Sequence, residues 1–230
     1  MEPRLREAFA GALATLRPFL NRLVFYGVDT CRAELDRNTA VRSPTFPLRE
    51  LHALTTGQLS RLAPELNAAG LQRQSRTPAG ERWVASGTLL LTLESAAEAT
   101  GDDAATGILE YATLLTTTAK LDSGETVRVC SLPAQIALIW RAHVRSGADF
   151  SASAWTEDLV ELVVRRHQIL DDVATLPPEL RAAIARAAAT FAGSDAALWT
   201  LEHALPEART APGLADEALK RFHQLAALAA

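Results

Sequence analysis

PLRELHALTTGQLSRLAPELNAAGLQRQSRTPAGERWVAS, residues 47–86, sets the expected architecture more firmly than any other part of the chain. Leu48, Leu51 and Leu54 recur every three residues, which predicts a short helix ending at Thr55-Thr56-Gly57. Leu59, Leu62 and Leu66 recur at three and four, which predicts a second helix over residues 56–69. Thr55 and Gln58 fit a capping box at its start, and Gly70 fits a left-handed stop. Pro64 removes one backbone donor inside this helix and should bend it near Ser60. Residues 71–76 and 81–86 then flank Thr77-Pro78-Ala79-Gly80. There proline pre-sets a turn and glycine is free to take positive φ, so the two segments read as a hairpin. The expected order is helix, turn, helix, strand, turn, strand.

That order resembles a winged helix-turn-helix. The run LSRLAPELNAAGLQRQSRTPAGERWV, residues 59–84, is similar to the recognition helix and wing of MarR-type regulators, and the resemblance as a whole covers roughly 40 residues, 47–86, of the 230. Leu66, Gly70 and Leu71 stand at that family's Leu-x-x-x-Gly-Leu element, and Arg61 at its DNA-facing arginine. The resemblance implies double-stranded DNA as a partner and a transcriptional or DNA-maintenance role. Leu59, Leu62 and Leu66 would pack inward, leaving Thr56, Gln58, Ser60, Arg61 and Asn67 on the outer face. Arg chelates a guanine edge and Asn an adenine edge, so Arg61 and Asn67 are the expected base readers. Arg49, Arg73, Arg76 and Arg82 are the expected phosphate contacts. Pro64 and the long continuation after residue 86 depart from the family pattern. Winged helices also serve as docking modules, so the alternative is an adaptor subunit of a larger complex.

Charge is divided along the chain. Residues 1–88 hold twelve Arg against eight Asp or Glu, a balance of +4, whereas residues 89–230 balance to −8. A basic front and acidic back are expected if only the front meets phosphate. The division expected is therefore 1–88 for N-terminal helices plus winged helix, and 89–230 for an acidic helical domain serving dimerisation, docking or effector binding. Apolar residues make up 48% of the chain, without an apolar run near the ~20 residues of a membrane span. Cys31 and Cys130, the only cysteines, read as reduced thiols in a cytoplasmic protein.

Elsewhere the pattern predicts helices over 3–17, 19–37, 89–99, 102–118, 132–146, 152–172, 178–192, 195–205 and 213–228. Strands are expected at 39–42 and 125–130. The fold class expected is mainly α, with a small β-hairpin wing and an all-helical C-terminal region. No His-Glu-x-x-His, Gly-rich phosphate loop or Ser-centred nucleophile elbow is present, so the expectation is a non-enzyme without cofactor or metal, and a homodimer. The enzyme alternative is a metal held by His167 and Asp171, four apart on one predicted helical face.

Overall fold

The structure, a computed structural model, describes residues 12, 14–27, 50–77, 80–86, 89–101, 107–120 and 124–229. Its centre is a seven-stranded mixed sheet, not a winged helix. The strands are β1 (Val24–Tyr26), β2 (Glu50–Thr55), β3 (Gln72–Thr77), β4 (Gly80–Ser86), β5 (Leu89–Ser95), β6 (Thr116–Lys120) and β7 (Thr126–Cys130), in the order β3-β4-β5-β2-β1-β7-β6. β2 runs parallel to β5 and β1 parallel to β7, while the other neighbours are antiparallel.

The expected first helix of the motif is strand β2. Alternation puts Leu51 and Ala53 on one side of the sheet and Glu50, His52 and Leu54 on the other. Leu51 and Leu54 therefore face opposite ways, and both are buried. A strand inside a sheet is covered on both faces, and its apolar residues can fall at spacings that imitate a helix. β5 misleads in the same manner: residues 89–99, expected as helix, form a strand and then the 3-10 turn Ala96–Glu98.

The next part of the motif is helical. Helix α1 (Leu59–Ala68) keeps its ten residues across Pro64 and lays Leu59, Leu62, Ala63 and Leu66 into the sheet's core. It ends in a Schellman geometry. Gly70 takes φ +94°, its amide donates to the Asn67 carbonyl, and Leu71 N–H donates to Leu66 O, both at 3.0 Å. No capping box forms at its start: Thr55 ends β2 and accepts instead from the Gly57 amide at 3.1 Å. The hairpin β3–β4 pairs as expected, yet it is no wing, because β4 also pairs with β5 and so belongs to the sheet's interior. Without a preceding helix, and with α1 packed on a sheet, the winged helix-turn-helix resemblance is overturned.

One sheet face holds the core of this unit. Phe25, Leu51, Ala53, Trp83, Leu91, Leu93, Val127 and Val129 meet α1 and the N-terminal residues Ala12, Leu16, Phe19, Leu20 and Leu23. Residues 19–37, expected as helix, contain β1. Of 102–118, the described residues 107–118 hold the helix α2 (Ile108–Leu114), and the β-branched Thr116-Thr117-Thr118 enters β6. The strand expected at 125–130 is β7, with β1 and β6 as its neighbours. The strand expected at 39–42 lies outside the described residues.

The described residues from Leu132 onward form a second compact unit. It is all helical: α3 (Leu132–Ser146), α4 (Ala154–Arg165), α5 (Ile169–Ala174), α6 (Pro178–Ala192), α7 (Ala197–Ala204) and α8 (Leu214–Ala226). Residue 88, the expected domain boundary, falls between β4 and β5, which are hydrogen-bonded neighbours. No helix among the described residues is long and apolar enough to cross a membrane.

Candidate functional site

The sheet face opposite the core carries titratable groups. Residues paired across neighbouring strands point to the same side. The register Tyr26↔His52, His52↔Thr92, Thr92↔Arg82 therefore lays a polar row across β1, β2, β5 and β4. Two positions from His52 along its own strand, Glu50 stands on the same face. Glu94 does so on β5, two positions from Thr92.

The contacts tie this row together. Arg82 grips Glu50 with Nε and Nη2 on Oε1, both at 3.1 Å, and Nη2 on Oε2 at 2.8 Å. The Thr92 hydroxyl also donates to Glu50 Oε1. The Tyr26 hydroxyl donates to Glu94 Oε1 at 2.6 Å, and both residues are buried. The Tyr26 and His52 rings lie 5.3 Å apart, tilted by 42°.

These surroundings set protonation. Burial pushes the half-buried His52 below its ordinary value of 6.5, and the attraction of Glu50 and Glu94 for the imidazolium does not cancel that. His52 is therefore neutral at pH 7. Burial works to raise the Glu50 carboxyl, but the Thr92 hydroxyl, His52 and Arg82 outweigh it and hold the group below the usual range. The arrangement is a neutral base between two carboxylates, with a guanidinium at one end. Such a base can accept a proton, and the carboxylates can stabilise the imidazolium that forms.

The residues expected on a DNA surface do not share one. Thr56, Ser60, Arg61 and Asn67 are exposed in the Thr56–Gly57 bend and on the outer side of α1. The hairpin arginines are divided between the two sheet faces. Arg73 and Arg76 register with Trp83 and Glu81 and approach Glu81 at 3.1 and 3.7 Å, whereas Arg82 turns to the opposite face. Arg73, Arg76 and Arg82 each meet a carboxylate, which removes the basic strip the sequence suggested. Arg49 lies outside the described residues. Among the described residues no group of three His, Cys, Asp or Glu is placed to hold a metal, at His167 and Asp171 or elsewhere.

From the sequence, Tyr26, Glu50, His52 and Thr92 carry no assigned role, and Glu94 stands out only as a carboxylate by type. Glu50-Leu51-His52-Ala53 does alternate polar and apolar, the pattern of a strand with one polar face. Counting only the leucines of this segment hid that signal.

No protein-family model and no curated protein matches the chain. Solved structures do resemble it. The antibiotic-resistance factor ANT(2'')-Ia has 17% identity and a TM-score of 0.49, over 84% of this chain and 95% of that one. A candidate nucleotidyltransferase from H. pylori has 8% identity and a TM-score of 0.48, over 100% and 94%. JHP933 from Helicobacter pylori has 11% identity and a TM-score of 0.47, over 100% and 91%. At such identities and TM-scores the likeness assigns no activity to this chain.

The DNA-binding expectation rested on a helix-turn-helix that the mixed sheet replaces, and it is withdrawn. The non-enzyme expectation rested on missing sequence motifs. It is withdrawn as well, since the sheet assembles a titratable cluster from four strands far apart in sequence.

Proposed function

We propose that this chain is a group-transfer enzyme, with the polar sheet face as its reaction centre and His52 as general base toward a substrate hydroxyl. The observation that carries the reading is the placing of His52 on one sheet face with Glu50 two positions along its strand and Glu94 on the neighbouring strand; burial holds the imidazole below its ordinary pKa. In the proposed step the hydroxyl hydrogen-bonds to an imidazole nitrogen. Its proton passes to that nitrogen as its oxygen bonds to the electrophile, and the leaving group departs with the electron pair of the broken bond. Glu50 and Glu94 favour the imidazolium that forms as the proton arrives.

Nucleotidyl transfer, the activity by which one H. pylori protein above is described, is the form of this chemistry to test first. Its electrophile is the α-phosphorus of a nucleoside triphosphate and its leaving group is pyrophosphate. Magnesium would arrive as part of the substrate, on the phosphates. A cytoplasmic setting belongs to the same proposal and is supported by Cys130, a thiol buried in the fold with its pKa pushed up by that burial.

The test is pyrophosphate release from magnesium nucleoside triphosphates, offered with a panel of small hydroxyl acceptors. Wild-type protein is expected to turn over, and His52→Ala to lose about 10²–10⁴-fold in kcat, the usual worth of a general base. Equal release by both proteins, or none across the panel, overturns the reading.

A further inference from the structure

We propose that Tyr26 is a positioning residue for His52, holding the Glu94 carboxylate in one orientation beside the imidazole; this rests on the reading of His52 as the base. Three observations support it. The Tyr26 hydroxyl donates to Glu94 Oε1 at 2.6 Å inside the fold, linking β1 to β5 across β2. Tyr26 and His52 are direct cross-strand neighbours with rings 5.3 Å apart. Tyr26 is 3% and Glu94 4% exposed, so water does not compete for this bond.

The Tyr26 hydroxyl draws charge from the carboxylate that would otherwise pull a proton onto His52. Among the described residues, the charged and titratable neighbours of His52 include Glu50 on β2, Glu94 on β5, Arg82 on β4 and Tyr26 on β1. The elements packed on β2 add Glu98 of the 3-10 turn and Glu110 and Tyr111 of α2.

Tyr26→Phe keeps the ring and deletes only the donor. His52 is then expected to take its proton at higher pH. An NMR titration of the His52 ring, assigned with His52→Gln, should show the midpoint moving upward. In the activity assay kcat should fall about tenfold at pH 6 with KM unchanged, the pattern of a lost transition-state interaction. Replacing both tyrosines of the chain, Tyr26 and Tyr111, by 3-fluorotyrosine keeps the fold's shape while making the phenol a stronger donor. The midpoint should then move downward. A Tyr111→Phe background confines that effect to position 26.

Opposite movements of the midpoint in the two proteins support the proposal, and an unmoved midpoint in both overturns it. The titration needs no turnover. Should the midpoints move while no protein transfers a group, the positioning of His52 stands and the general-base reading falls.

Discussion

Arg82 and Glu50 form the best-defined ion pair on the polar face, with three short contacts between them. The guanidinium is 45% and the carboxylate 19% exposed, so solvent screens much of the attraction. Arg82→Ala should therefore lower stability by only about 1 kcal/mol, measured as a shift of the urea midpoint. Its larger effect falls on His52. Arg82 disfavours the imidazolium, and its removal also leaves Glu50 freer to attract a proton. The His52 midpoint should rise in this variant, and an NMR titration checks it. Nothing in a linear reading brings Arg82 to Glu50, 32 residues away. The contact exists because β4, β5 and β2 lie side by side.

At the scale of elements, the hairpin β3–β4 and helix α1 were legible because their signals are local. Gly70 must take φ +94° to close α1, and Thr77-Pro78-Ala79-Gly80 could only be a turn. β2 and β5 were not legible, since their identity depends on being covered from both faces by residues elsewhere in the chain. The candidate site was hidden for the same reason: its row of side chains exists only after four strands pair. Gly80 has a second role that a turn does not require. A Cβ at this position would stand 2.3 Å from the Leu93 carbonyl, so β4 and β5 approach closely only because it is absent. Gly80→Ala should force these strands apart and lower stability by about 1–3 kcal/mol, the usual cost of overpacking, read as a lower urea midpoint with an unchanged slope.

For the whole molecule, the charge division near residue 88 suggested where one domain ends, and residue 88 lies between two paired strands. Composition changes there without a break in hydrogen bonding. The second compact unit begins at Leu132 and supplies its own interior. Phe150 meets Phe191 edge-on at 5.2 Å, Phe191 meets Phe222 at 4.5 Å, and Arg221 donates to the carbonyls of Val163, Val164 and His167 at the end of α4. A fragment beginning at Leu132 should therefore give a helical circular-dichroism spectrum and a cooperative melt. One beginning at residue 89 carries β5, β6 and β7 without β1 and β2, the neighbours that join them. Those exposed strand edges predict aggregation, measurable by light scattering.

In the proposed reaction a neutral His52 on the polar face takes the substrate proton. Because burial lowers its pKa, the base is mostly neutral at pH 7 and is lost as pH falls through a midpoint below 6.5. The most direct measurement is the pH dependence of kcat/KM for wild type and His52→Ala between pH 5 and 8. Wild type is expected to show an acid limb with a midpoint below 6.5, and the variant a residual rate without that limb. A flat wild-type profile, or the same limb in both proteins, would contradict the proposed reaction.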